Sequence, residues 1–310
     1  MKIKYFIYFL ILACATACST EQKEQVEEQK KDELATPFKL DASTSYKFHV
    51  KNEGKTARIG DFISFRFTMI SEKGDTLTSS HKHYGLKAME RPLEKPSDHD
   101  DLEKIFSLVT VGDSLTVSLQ AGKHFSAITT EMPKNLLPQS QIKYLIKITG
   151  IKTIEQRSVE QIPVDDRLLM TYFTKNKLTK KILKADNGLY LDIEKEGTGN
   201  LLLQGDSVRY RYTTSDLQGH IIDTSDKNID GLMLGKYTLI PAWDFAFKNI
   251  LKKGSKVTLY IPSNLGFGGI SKEIRNSSSG VYVKLYPFTL LKTEIEIVEV
   301  IEALRLTNAK

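Results

Sequence analysis

The residues of this 310-residue sequence that could form a binding site surround its only tryptophan, Trp243. Trp243 follows Leu239-Ile240-Pro241-Ala242, and Pro241 suits the first turn of a helix, where no backbone donor is needed. An indole at the start of a short helix is either a core residue or part of an apolar pocket. The sequence contains no recognisable catalytic triad.

A second group of residues with possible chemistry lies in polar loops. It consists of His81, His83 and His99, with Asp98 and Asp100 beside the last. Their spacing matches no familiar set of metal ligands, so we predict no metal site.

The elements that must position these residues are duplicated. Tyr46 and Tyr190 each begin an alternating strand and a turn, after which Gly-Asp, at 60–61 and 205–206, enters a second alternating strand. Each copy then has a glycine at a hairpin turn and ends in further alternating strands. The period is too long for a solenoid, so the sequence predicts one antiparallel unit present twice.

A helix is expected between the copies. Apolar residues recur at helical spacing within 164–185, and Asp165 or Asp166 would cap its N-terminus. The sequence leaves open whether this helix packs on a domain or mediates dimerisation.

The N-terminus predicts export. Residues 1–18 combine lysines, an apolar run and small residues before Cys18, the order of a signal peptide. Ala15-Thr16-Ala17-Cys18 resembles a bacterial lipobox, which implies acylation of Cys18. Cys14 is a competing match, and cleavage after Ala17 to a soluble protein is the alternative. Residues 19–45, rich in Glu, Gln and Lys, are predicted to be a disordered tether.

The charge of the chain does not indicate a nucleic-acid partner. The formal net charge is +6 and the pI about 9.0, but Lys and Arg are scattered among acidic residues. With export also predicted, we expect no nucleic-acid binding.

The second copy resembles the FK506-binding-protein (FKBP)-type peptidyl-prolyl isomerases. The resemblance covers about residues 188–304, through GLYLDIEKEGTG, LIPAWDFAFKNIL, IPSNLGFG and TEIEIVEV. It implies an α+β fold in which an antiparallel curved sheet wraps around a short helix. We therefore predict two FKBP-like domains joined by a helical connector: a degenerate one at 46–152, the connector at 153–187, and an isomerase-like one at 188–310.

The resemblance also assigns roles to individual residues. It places Trp243 on the pocket floor, Tyr212 and Asp223 among the hydrogen-bonding groups, and Phe267 where the family has a tyrosine that contacts the substrate carbonyl. Phe267 lacks that hydroxyl, and Thr293 replaces a phenylalanine of the last strand. The predicted catalytic residues are Tyr212, Asp223, Trp243 and Phe267, and the predicted substrate-binding residues are Ile222, Leu239 and Ile240.

The first copy departs further from the family pattern. Phe67 stands in place of Tyr212, Leu77-Thr78 in place of Ile222-Asp223, and Asp101 near the position of Trp243. We therefore expect no isomerase site in the first copy.

The function implied by the resemblance is cis–trans isomerisation of X-Pro bonds. An apolar cavity accepts a twisted amide, which has lost resonance, more readily than the planar one, and no cofactor is needed. The expected partners are proline-containing polypeptides, together with a membrane reached through the lipid anchor. The expected location is the cell envelope, with the lipid anchor in a membrane, the outer membrane being favoured, and the domains in the periplasm or at the cell surface. The alternative is a non-catalytic FKBP-like chaperone or a structural subunit of an envelope complex.

Overall fold

The computed structural model describes residues 37–96, 101–127, 131–134, 136–225 and 228–304. The predicted signal peptide, Cys18 and most of the predicted tether lie outside these ranges, as do Asp98, His99 and Asp100. The chain divides into two compact units, Met1–Thr153 and Ile154–Lys310.

In its described residues, the first unit is a seven-stranded antiparallel sheet with three short helices. The order is β1-β2-β6-β7-β3-β4, and β5 also pairs with β3. In chain order its elements are β1 (Phe38–Lys39), β2 (Ser45–Val50), β3 (Phe62–Ser71), β4 (Thr76–Ser79), α1 (Ser80–Tyr84), β5 (Met89–Pro92), α2 (Asp101–Phe106), β6 (Ser114–Gln120), α3 (Ala121–Ala127) and β7 (Gln141–Lys152).

The second unit repeats this arrangement after a long helix. Its sheet has the order β11-β10-β16-β13-β9-β8, with β12 on β10, and β14 and β15 form a separate hairpin. Its elements are α4 (Ile154–Lys175), β8 (Leu183–Lys184), β9 (Tyr190–Lys195), β10 (Ser207–Asp216), β11 (Ile221–Thr224), β12 (Asp230–Met233), α5 (Pro241–Asn249), β13 (Lys256–Ile261), a 3₁₀ turn (Ser263–Leu265), β14 (Lys272–Arg275), β15 (Tyr282–Leu285) and β16 (Leu291–Ile301).

The two sheets share their local turns as well as their topology. Asp61 Oδ2 accepts a hydrogen bond from Arg58 N at 2.9 Å, and Asp206 Oδ2 accepts one from Leu203 N at 2.8 Å. The hairpin glycines have φ of 90° at Gly74 and 93° at Gly219, a conformation that glycine adopts without steric cost. The predicted α+β class with antiparallel sheets is confirmed.

The core of the second unit lies between its sheet and α5. Alternation along β10 buries Val208, Tyr210 and Tyr212 and leaves the intervening arginines at the surface. On α5, Pro241 occupies the first turn and Phe247 is completely buried in the same core. Burial of one such side chain contributes about 1.5–3 kcal/mol, which holds the helix on the sheet.

The structure corrects two predicted boundaries. Phe38–Lys39 pair with Tyr46 and Ser45, so the first sheet begins before residue 46 and the predicted tether was too long. The helix α4 begins at Ile154, which leaves Asp165 and Asp166 in its interior, so the predicted cap was wrong. Pro163 lies inside α4, and a proline normally predicts a break at that point.

Helix α4 packs on the second unit. Leu169 and Phe173 are buried against Tyr190, Tyr260 and Leu290. Of the two roles that the sequence left open for this helix, the structure therefore shows packing on a domain. Among the described residues, no helix is both long and apolar enough to cross a membrane.

Candidate functional site

A cavity of about 210 Å³ opens between α5, the sheet and the β14–β15 hairpin of the second unit. All the residues predicted to be catalytic or substrate-binding line it: Tyr212, Ile222, Asp223, Leu239, Ile240, Trp243 and Phe267. Thr214, Thr238, Ile274 and Leu291 complete the lining. The structure thus brings the whole predicted set together, and the role of each residue in catalysis stays a prediction.

Aromatic side chains form one side of the cavity. The ring of Trp243 meets that of Tyr212 edge-on at a centroid distance of 5.1 Å, and that of Tyr210 at 6.0 Å. Trp243 Nε1 is buried and has no hydrogen-bond acceptor among the described residues. A buried donor without a partner costs about 1–3 kcal/mol. The cavity wall therefore retains one unsatisfied donor.

The polar side of the cavity is built on Asp223. Tyr212 Oη donates to Asp223 Oδ2 at 2.7 Å, and the Ser277 and Thr224 N–H groups donate to Oδ1 at 2.6 and 2.9 Å. These bonds hold the carboxylate in one orientation. Burial raises the pKa of the Tyr212 hydroxyl well above its ordinary value, and the nearby Asp223 carboxylate raises it further. Tyr212 is therefore a protonated donor at neutral pH.

The β14–β15 hairpin supplies contacts that the sequence did not assign. Ile274 lines the cavity, and Ser277 Oγ lies 3.3 Å from Tyr212 Oη. Asn276 is buried, accepts from the N–H groups of Ser278 and Ser279, and donates to the carbonyl of Ile222 at 3.2 Å. The Asn276-Ser277-Ser278 run is thus the turn that places Ser277 on Asp223.

The loop that carries Phe267 is fixed by helix α4. Asp165 is buried, and its Oδ2 accepts from Ser263 N at 2.8 Å and Ser263 Oγ at 2.6 Å. Gln161 Nε2 donates to the other carboxylate oxygen at 2.7 Å. Because Ser263 begins the 3₁₀ turn just before Phe267, Asp165 ties the helix to one wall of the cavity.

Strand β16 contributes Leu291 rather than Thr293 to the lining. Thr293 is completely buried, and its hydroxyl is 2.9 Å from that of Thr214. This hydrogen bond satisfies both hydroxyls, while the position that the resemblance assigned to a pocket phenylalanine holds no aromatic ring.

The corresponding region of the first unit is occupied by its own side chains. Val117 pairs with Tyr144 as Leu259 pairs with Thr293, so Tyr144 stands in the place of Thr293. The Tyr144 ring packs on Phe67 at 5.4 Å, and its hydroxyl is hydrogen-bonded to His124 Nε2 at 2.8 Å. Burial raises the pKa of Tyr144 to about 12. Asp101, at the start of α2, accepts from Lys123 Nζ at 2.6 Å.

The histidines considered as metal ligands are not grouped with acidic residues where the structure describes them. His83 Nε2 is bonded to Thr78 Oγ1 at 2.8 Å, and His81 Nδ1 to the carbonyl of Gly85 at 3.1 Å. Within the described ranges no three His, Cys, Asp or Glu side chains come together as a metal site.

Comparison with known proteins finds a family similarity within the second unit. Residues 200–283 match the family described as FKBP-type peptidyl-prolyl cis-trans isomerase. This match lies within the second unit, and the resemblance to FKBP-type peptidyl-prolyl isomerases drawn from the sequence is confirmed.

Curated relatives carry the same description. The chain is 27% identical over 170 residues to the FKBP-type peptidyl-prolyl cis-trans isomerase FkpA of Buchnera aphidicola subsp. Schizaphis graminum, covering 54% of this chain and 62% of that protein. It is 25% identical over 223 residues to the peptidyl-prolyl cis-trans isomerase Mip of Chlamydia muridarum, covering 68% of this chain and 84% of Mip. The chain thus spans less than two thirds of the length of this FkpA.

Two solved structures were also matched. FkpA from Escherichia coli gives a TM-score of 0.36 at 23% identity over 47% of this chain and 62% of its own. The three FKBP domains of wheat FKBP73 give a TM-score of 0.34 at 13% identity over 86% of this chain and 99% of theirs.

Proposed function

We propose that the second unit catalyses cis–trans isomerisation of X-Pro bonds in polypeptides of the cell envelope. The observation that carries this proposal is the single cavity lined by Trp243, Ile240, Tyr212, Asp223 and Phe267. Its volume of about 210 Å³ suits one small ring rather than a large ligand.

The reaction needs little from the protein beyond a shaped apolar surface. Amide resonance gives a barrier of about 18–20 kcal/mol, which falls when the C–N bond twists and the amide loses its resonance. Leu239, Ile240 and the Trp243 ring offer apolar contacts to the proline ring, and the twisted amide fits such a surface better than the planar, more polar ground state. The Tyr212–Asp223 pair provides fixed polarity at one side of the site.

The predicted activity is reduced by two features of the cavity. Phe267 has no hydroxyl to donate to the substrate carbonyl, and a neutral hydrogen bond is worth about 1 kcal/mol. Thr293 is buried against Thr214 and adds no ring to the lining. These features favour a weak isomerase.

The test is an isomerisation assay on the intact chain with short X-Pro peptides and with a proline-limited refolding protein. We expect Trp243→Ala and Asp223→Ala to reduce kcat/KM at least tenfold, which corresponds to about 1.4 kcal/mol in the transition state. Leu145→Ala, on the exposed face of the first sheet, is the matched control. A folded wild-type protein without catalysis on either substrate would refute the proposal.

A non-catalytic binding role is the second candidate. The loss of the family tyrosine at Phe267 and the filled site of the first unit favour it, because both remove features on which catalysis depends. A chaperone would suppress aggregation of a denatured client equally well with and without prolines, whereas the isomerase would act only on chains in which X-Pro rotation limits folding.

We also propose that the first unit, 46–152, is a degenerate FKBP-like domain without isomerase activity and that Cys18 is acylated. The filled region around Tyr144 supports the first statement, and the lipobox-like run supports the second. Acylation would anchor the chain to a membrane of the envelope. Mass spectrometry of the N-terminal peptide tests it, since an unmodified Cys18 in the membrane-associated protein would exclude this anchor.

A further inference from the structure

The open face of the first sheet carries more positive than negative charge; the Glu90 carboxylate, on the edge strand β5, lies 3.4 Å from Ser64 Oγ. Strands β2, β3, β6 and β7 together contain no aspartate or glutamate. Lys47, Arg66, Lys143 and Lys147 alternate along these strands with core residues, so they share the face that points away from the core. The register places Arg66 directly opposite Lys147. We call this surface the cationic face.

The corresponding face of the second sheet carries charges of both signs, with acidic side chains beside the basic ones. Its four equivalent strands carry acidic side chains that pair with the basic ones. The pairs are Arg209–Glu299 at 3.8 Å, Arg211–Glu296 at 3.7 Å, Lys256–Glu194 at 2.7 Å and Lys292–Glu294 at 2.6 Å. Because both sheets have the same topology, the fold does not require an unbalanced face.

The charges of the cationic face are not neutralised by neighbouring side chains. Arg66 Nη2 donates to the carbonyl of Leu86 at 2.7 Å, and Lys147 Nζ donates to that of Gly112 at 2.6 Å. In the ranges that the structure describes, Lys47, Arg66, Lys143 and Lys147 make no ion pair with a carboxylate. Like charges on adjacent strands are destabilising, which a bound anion would relieve.

Exposed apolar side chains accompany these charges. Residues 81–87 read His-Lys-His-Tyr-Gly-Leu-Lys, and the bond from Arg66 to the carbonyl of Leu86 ties this segment to the face. Leu86 is 80% exposed, Tyr84 49%, and Leu145, at the centre of β7, 42%. Leu86 and Leu145 line a groove of about 540 Å³, which Arg66 and Lys147 also line. Basic side chains around exposed leucine and tyrosine are typical of surfaces that lie on a membrane.

We propose that the cationic face docks the first unit on the surface of a membrane that contains anionic phospholipids. Charge complementarity selects a polyanion, and the exposed leucine and tyrosine favour a lipid surface over an acidic peptide, which would offer them no apolar partner. This inference uses the proposed acyl anchor at Cys18 only to bring the first unit close to the membrane. An anchor at Cys18 would lie at most about 65 Å from Pro37, the first described residue, since an extended chain spans about 3.4 Å per residue.

Sedimentation with vesicles tests this inference on residues 19–310, which retain every described residue. We expect binding to vesicles of phosphatidylcholine mixed with phosphatidylglycerol, weak binding to phosphatidylcholine alone, and loss of binding as salt is raised. The variant K47Q/R66Q/K143Q/K147Q should bind roughly a hundredfold more weakly, because each basic residue near such a surface contributes several-fold. Leu86→Ser should weaken binding further at constant charge.

The matched control removes the same charge from the second unit. R209Q/R211Q/K256Q/K292Q should keep nearly full affinity for the vesicles. If both fourfold variants lost the same affinity, net charge alone would explain the binding and the proposal would be overturned. Absence of binding to the mixed vesicles would also overturn the proposal. Binding of an acidic peptide by a protein that does not bind the vesicles would assign the face to a peptide partner and overturn it as well. Circular dichroism checks folding, and the isomerase assay reports separately on the second unit, so the two proposals can fail independently.

Discussion

At the scale of single residues, the sequence predicted which side chains line the cavity but not which hydrogen bonds hold them in place. Trp243, Tyr212 and Asp223 were assigned to one pocket because each stands within an ordered series of family motifs, and all three line the cavity. Ser277 and Asp165 were missed because their contacts join positions 54 and 98 residues apart. No local pattern encodes a hydrogen bond over such a separation.

The side chain at position 267 determines the level of the proposed isomerase activity. Phe267→Tyr restores a hydroxyl in the cavity wall and should raise kcat/KM about fivefold, as expected from one neutral hydrogen bond of about 1 kcal/mol. The assay is the X-Pro peptide reaction with wild type and variant side by side. Phe245→Tyr, which adds a hydroxyl to α5 outside the cavity lining, is the control and should change nothing. A Phe267→Tyr variant without gain would show that the carbonyl does not reach this wall.

Tyr144 makes the stability of the first unit sensitive to alkali. Its folded pKa of about 12 lies above the ordinary value of 10.0, so the folded state holds the proton more tightly than the unfolded state. The resulting stabilisation is complete below pH 10 and is lost as the pH rises towards 12, by up to about 2 kcal/mol. Urea unfolding at several pH values should show this decline in wild type and a smaller one in Tyr144→Phe. Tyr84→Phe, at an exposed site, should leave the wild-type decline unchanged.

At the scale of elements, the strands were easier to predict than the helix that precedes the second unit. Alternation in FISFRF and SVRYRYT gave β3 and β10, because one face of each strand is buried and the other is not. The start of α4 was misplaced, since Pro163 and the polar run before it argue against a helix interior. Packing of Leu169 and Phe173 on the sheet outweighs that local preference.

Helix α4 acts on the cavity through Asp165. Asp165→Ala removes the acceptor of two Ser263 donors and of Gln161, which should cost the second unit about 3 kcal/mol because buried donors lose their partner. The loop that carries Phe267 would also be less well fixed, so kcat/KM should fall below that of wild type under conditions where both are folded. Urea unfolding and the peptide assay measure the two effects.

The neighbouring carboxylate provides the control for Asp165. Asp166 is half-exposed and bonds Lys184 Nζ at 2.8 Å and Tyr190 Oη at 3.0 Å, neither of which lies in the loop before Phe267, so Asp166→Ala should cost about 1–2 kcal/mol and leave catalysis intact. Equal effects of the two variants would show that helix α4, rather than the bond to Ser263, determines the behaviour of the loop.

At the scale of the whole molecule, the chain contains two sheets of one topology whose side chains differ at the pocket positions. The sequence predicted the repeat, because paired Gly-Asp turns and alternating strands recur in the same order. It also predicted that the first copy lacks the pocket residues. It did not predict that Tyr144 and His124 fill that space, since a filled cavity depends on side-chain packing across three separate elements.

Each unit has its own hydrophobic core, and this separation predicts two unfolding transitions. Ile142→Ala, in the first core, and Leu259→Ala, in the second, each remove a side chain that is completely buried and should cost 2–5 kcal/mol in their own unit, an order of magnitude typical of such truncations. Calorimetry should therefore show that each variant lowers the midpoint temperature of its own unit and leaves that of the other unit unchanged. On heating, isomerase activity should be lost together with the transition that Leu259→Ala lowers. It should not change at the transition that Ile142→Ala lowers. If both variants lowered one common transition, the units would fold cooperatively, and the first copy would have to be regarded as part of the structural support of the catalytic one.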